Sequence, residues 1–95
     1  MKLVLNKYYG GFSLSKKAYK YMGRSDWDED RGYGYSELSV EVRSDPKLVK
    51  CVEKLGAEAN GLFASLKVVE IPDGVEVEIE EYDGWESAHE KHRSW

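Results

Sequence analysis

Leu66-Lys67-Val68-Val69-Glu70-Ile71-Pro72-Asp73-Gly74-Val75-Glu76-Val77-Glu78-Ile79-Glu80 carries the clearest structural signal in the chain. Its first half is an apolar run with few polar interruptions. Pro72-Asp73-Gly74 then supplies the residue types of a tight reversal. Beyond it, Val75, Val77 and Ile79 alternate with Glu76, Glu78 and Glu80, giving one apolar face and one acidic face. The pattern predicts a β-hairpin in which 66–71 pairs with 75–80.

Downstream, Asp83 stands where it can cap a final helix, with Glu86 at the spacing of a capping box. Trp85, Ala88, His92 and Trp95 would form one stripe along that helix. Upstream, Asp45-Pro46 opens a helix: Asp45 accepts from free amides, and Pro46 takes the first helical position, where its missing N–H costs nothing. Leu48, Val52, Leu55 and Ala59 give it an apolar face beside Val49 and Cys51. Gly56 marks an early end and Asn60-Gly61 the later stop.

Leu38, Val40 and Val42 alternate with Ser39 and Glu41, the period of a strand with one wet face. Ser15 caps a short helix running to about Met22. Leu14 and Tyr19 have hydrophobic-staple spacing, and Gly23 ends the helix. Lys2 to Lys7 form a first strand, and Val4 opposite Leu3 and Leu5 predicts cover on both of its faces. The expected order is β-α-β-α-β-β-α. That is an α+β fold with a small mixed, mainly antiparallel sheet and helices packed on one face.

The chain has 95 residues, 41% of them hydrophobic, which fits a single compact domain over 1–95 rather than a disordered chain. Residues 25–36 form an irregular loop in which Asp26, Asp28, Glu29 and Asp30 surround Trp27, followed by Gly32-Tyr33-Gly34-Tyr35. Cys51 is the only cysteine, so neither an intrachain disulfide nor a four-thiolate zinc site can form. The short apolar run after Met1 is too brief for a signal-peptide core or a membrane span. A cytoplasmic protein, without membrane association, is expected.

The net charge of −4 conceals an asymmetry. Residues 1–24 hold Lys2, Lys7, Lys16, Lys17, Lys20 and Arg24 and no acid. Residues 68–90 hold nine acids and no Lys or Arg. Direct nucleic-acid binding is therefore disfavoured on the acidic side.

The strings Leu5-Asn6-Lys7, Tyr9-Gly10-Gly11-Phe12-Ser13-Leu14-Ser15, Leu66 to Asp73, Glu80 to Gly84 and His89 to Trp95 resemble those of small proteins encoded by bacteriophages and prophages. That resemblance brings no catalytic activity and no residue roles. It implies a setting in which small proteins engage host machinery or defence components inside the host cell.

Chemistry-bearing groups are sparse. His89 and His92, with Glu86 as a third candidate, have the spacing to share a metal on a helix, but no HExxH pattern is present. Packing of His92 beside Trp85 and Trp95 is the plainer expectation, and no metal or other cofactor is assigned. Asp26, Asp28, Asp30 and Glu37 fall at calcium-loop spacing, yet Arg31 stands where such a loop needs glycine. Cys51 reads as a small buried hydrophobe. An anion or nucleotide site is weighed at Lys7, Gly10, Gly11, Ser15 and Lys16, where helix amides and lysines can meet a phosphate.

The preferred expectation is a non-enzymatic protein that binds, and inhibits, a host protein, such as a defence or nucleic-acid-handling factor. Its contact residues would be Tyr9, Phe12, Trp27, Tyr33 and Tyr35 with Glu76, Glu78 and Glu80, combining aromatic anchors with a charged strand face. A small-ligand or nucleotide-binding protein is the first alternative. A small metal-dependent enzyme, its site completed by homo-oligomerisation around His89, Glu90 and His92, is the second.

Overall fold

The computed structural model describes residues 1–24, 38–90 and 93–95. Its elements are β1 (Lys2–Asn6), α1 (Lys16–Tyr21), α2 (Val40–Arg43), α3 (Pro46–Leu55), a 3₁₀ turn (Gly56–Ala59), β2 (Leu66–Glu70), β3 (Glu78–Tyr82), β4 (Trp85–Glu90) and β5 (Arg93–Ser94). The fold is α+β, with two antiparallel sheets in place of one: β1–β2, and β3–β4–β5. No helix among the described residues is long and apolar enough to cross a membrane.

β1 is the organising strand. Leu3, Val4 and Leu5 are all fully buried because both faces of the β1–β2 ribbon are covered. On one face Val4 and Leu66 join Leu14, Ala18 and Tyr19 from the α1 region and Leu48, Cys51 and Val52 from α3. On the other, Leu3, Leu5 and Ile71 meet Ala88, with Val40, Val75, Val77, Ile79 and Trp95 packed around them. The layers are thus helices, the two-stranded ribbon, then the three-stranded sheet.

The local signals of the helices hold. The Ser15 hydroxyl accepts from the Ala18 amide at 3.1 Å, and Leu14 and Tyr19 are both buried. Gly23 takes φ of 76° past the end of α1. Asp45 accepts from the Lys47 amide at 2.9 Å with Pro46 in the first turn, and Gly56, at φ 58°, ends α3 early.

Three expectations are corrected. First, 66–71 does not pair with 75–80: β2 instead lies along β1, with Leu3 opposite Val69 and Leu5 opposite Lys67. The apolar residues of β1 need cover on two sides, and β2 meets that need while closing its own hydrogen bonds.

Second, the segment from Asp83 is a hairpin rather than a capped helix. Asp83 and Gly84 both have positive φ, 52° and 93°, the pattern of a type I′ turn, and Tyr82 pairs directly with Trp85. Glu86 therefore sits mid-strand, not in a capping box.

Third, 38–42 is not a strand. Ser39 caps α2 by accepting from Val42 N, and Ser44 closes it by donating to the Val40 carbonyl at 2.6 Å. This helical turn carries Arg43 into the interior. The expected loop at 25–36, with Trp27, Tyr33 and Tyr35, lies outside the described residues, as does His92.

Candidate functional site

A set of buried polar groups fixes the orientation of the outer sheet. Arg43 is fully buried and forms a bidentate pair with Glu86, whose side chain is 3% exposed. One guanidinium nitrogen bonds Glu86 Oε1, and the other reaches Oε2 at 2.8 Å. Glu86 Oε1 also accepts from the Asn6 amide at 2.8 Å. The Arg43 guanidinium lies 3.8 Å from the Phe12 ring centroid, so the planar cation is stacked as well as paired.

Asn6 extends this network. Its side-chain amide donates to the carbonyls of Tyr8 and Gly84, and its Oδ1 accepts from Ser65 N. β1, α2, β4 and the 83–84 turn are thereby locked together by groups that satisfy one another.

The lock aims one face of β3 and β4 at solvent. The pairs Glu78–His89, Glu80–Ser87 and Tyr82–Trp85 share that outward face, while Ile79 and Ala88 point into the core. Glu76, Glu78 and Glu80 are all exposed, as the alternation predicts. An open groove of about 880 Å³ runs beside them, with Val40, Val75 and Val77 as apolar lining and Glu90 adding a further carboxylate. No lysine or arginine lines it among the described residues.

At the other end of the face are rings. Tyr82 is 79% exposed, and Tyr9 meets Trp85 with ring centroids 5.2 Å apart. Glycine backbones let the surrounding turns converge. A Cβ on Gly84 would fall 2.4 Å from the Gly11 nitrogen, and one on Gly10 would fall 2.0 Å from the Phe63 carbonyl oxygen. Leu62 and Phe63 beside them are also exposed.

Catalytic geometry does not follow from this arrangement. Ser87 Oγ lies 2.6 Å from His89 Nε2, and Glu80 Oε2 lies 3.8 Å from that same nitrogen. A serine–histidine–acid relay needs the serine on one ring nitrogen and the carboxylate on the other. Here both compete for Nε2, so the trio anchors the imidazole on the sheet. Glu86 and His89 project from opposite faces of β4, so these two lack the common helical face on which metal sharing was weighed, while His92 lies outside the described residues. Among the described residues no three His, Cys, Asp or Glu side chains gather as a metal-binding group.

Several expected contact residues have other uses. Phe12 is 8% exposed, so its ring belongs to the core rather than to a partner. Lys7 Nζ donates to the main-chain oxygens of Glu86 at 2.7 Å and Trp95 at 3.2 Å, and burial holds its pKa below the ordinary lysine value. It clamps the sheet instead of facing a phosphate. Ser15 donates its hydroxyl to the Glu58 carbonyl, its amide bonds the Ala59 carbonyl, and Lys17 pairs with Glu58 at 3.0 Å. Backbone carbonyls therefore already face the start of the six-residue α1, beside Lys16, while Gly10 packs closely on Phe63 and Gly11 supplies a φ of 90°. Tyr9, Glu76, Glu78 and Glu80 are brought to one exposed side. Trp85 and Tyr82 join them, and the missed signal was Asp83-Gly84 as a hairpin turn.

No family model, curated protein or solved structure matches the chain.

Proposed function

We propose that the chain is a non-enzymatic binding module whose outward β3–β4 face engages a basic surface on a partner protein. The observation that carries this reading is the exposed series Glu76, Glu78 and Glu80 along a valine-lined groove, with the Tyr9–Trp85 ring pair at the other end of the same face. Carboxylates of one sign steer a cationic partner, while exposed rings add apolar contact at modest entropic cost. The resemblance to small phage-encoded proteins supports a host protein as that partner, one whose positive surface handles nucleic acid or serves in defence. Covering that surface would inhibit it.

The test is recovery of partners by the immobilised full chain at low and physiological salt, beside a variant carrying Glu76→Gln, Glu78→Gln and Glu80→Gln. The expected result is a stoichiometric basic protein, retained by the parent and lost by the variant. Equal recovery by both folded proteins overturns the proposal.

A further inference from the structure

We infer that the open edge of β3 takes up an extended basic segment of a partner protein as an added antiparallel strand, an inference that rests on the binding reading above. The argument starts from which way the backbone points. Ala88 exchanges both main-chain hydrogen bonds with Trp95, at 3.0 and 2.8 Å. Successive residues of a strand direct these groups to opposite sides, so Trp85, Ser87 and His89 face β3. Their partners Tyr82, Glu80 and Glu78 face back.

Ile79 and Glu81 are left directing N–H and C=O away from β4, to an edge where no strand pairs among the described residues. The groove lies at the Glu78 end of β3, lined by residues 75–78 and Glu80 together with His89 and Glu90 of β4, so an added strand would start beside its carboxylates. An open row of backbone donors and acceptors is the geometry of strand addition.

Charge selects the occupant. Residues of an incoming strand opposite Ile79 and Glu81 would share its backbone bonds. Those opposite Glu78 and Glu80 would sit in the closer, non-hydrogen-bonded pairs, with side chains on the carboxylate face. Lysine or arginine at alternate positions meets that requirement, and an apolar residue beyond them reaches Tyr82. A second copy of β3 would set glutamate against glutamate. The chain's own 25–37 segment carries Asp26, Asp28, Glu29, Asp30 and Glu37 against Arg31 alone, so charge also argues against it as occupant.

The probe is a synthetic peptide of about eight residues, a strand's length, alternating lysine with threonine or valine. Its binding to the full chain is measured by fluorescence anisotropy over a salt series, together with hydrogen exchange at individual amides. Bound peptide should slow exchange at Ile79 and Glu81. Glu78→Gln with Glu80→Gln should weaken binding about tenfold. N-methylation of the peptide amides that face β3 should abolish binding, and methylation of the alternate amides should spare it.

Binding that tolerates both methylation patterns and leaves Ile79 and Glu81 unprotected overturns strand addition, yet leaves the acidic recognition surface standing if the Gln variant still weakens it. Binding indifferent to the Gln substitutions overturns the charge argument. Protection of both amides in the free monomer, or protection that follows self-association, assigns the edge to the chain itself. No binding at low salt rejects the strand, while the separate partner recovery with Gln variants decides the parent proposal.

Discussion

Glu86→Gln isolates the contribution of the buried charge pair, because it keeps the side chain's size and an oxygen acceptor for the Asn6 amide. What it removes is the negative charge facing Arg43. The Arg43 side chain is 0% exposed, so water cannot replace the lost carboxylate. Removing one partner of such a pair costs about 3–5 kcal/mol. A small domain has only about 5–15 kcal/mol in total. At roughly 4–8 °C per kcal/mol for a chain of this size, the melting temperature should fall by on the order of 12–40 °C.

Arg43→Met in the Glu86→Gln background removes the orphaned cation while retaining a flexible side chain against Phe12. The double variant should recover at least about 2 kcal/mol relative to the sum of the single changes. Urea unfolding followed by circular dichroism measures all four corners of the cycle. A Glu86→Gln cost below about 1 kcal/mol, or additivity of the two changes, would refute the reasoning that this pair locks the outer sheet.

Two further predictions concern backbone and thiol. Gly84→Ala must accommodate both φ of 93° and a Cβ 2.4 Å from Gly11 N, whereas Gly74→Ala meets only φ of 79° with open space around it. Thermal melts should show Gly84→Ala the more destabilised by about 1–3 kcal/mol, the cost of overpacking, and equal effects would contradict the close packing of the two turns. Burial pushes the Cys51 thiol above its ordinary value of 9.0. The folded chain then keeps a proton that the unfolded chain releases, so this contribution to stability is full below pH 9.0 and declines above it. Cys51→Ala should flatten that alkaline decline, and a disulfide reagent should label native Cys51 only as fast as the protein opens; rapid native labelling would show the thiol to be accessible.

The features legible from the chain are those whose physics is completed within a few residues. Ser15 reaches an amide three positions on, Asp45 one two positions on, and Gly23 and Gly56 adopt angles that favour glycine. The exposed side of Glu76, Glu78 and Glu80 was equally legible, since a period of two sets opposite faces whatever strand lies alongside. Val4 between Leu3 and Leu5 likewise announced a strand covered twice.

Tertiary structure decided the rest. Two Asp-Gly pairs compete for a hairpin, and only Asp83-Gly84 closes one, because β2 is drawn to β1, whose Leu3 lies opposite Val69. The alternation at 38–42 yielded to a helical turn that brings Arg43 to Glu86, 43 residues away. Neither residue signals the other locally. The edge of β3 that no strand pairs among the described residues and the meeting of Tyr9 with Trp85 follow from the same long-range choice. Caps and turns satisfy backbone groups beside them in the chain, whereas strand partners and the compensation of a buried charge are selected by whatever the folded chain brings within reach.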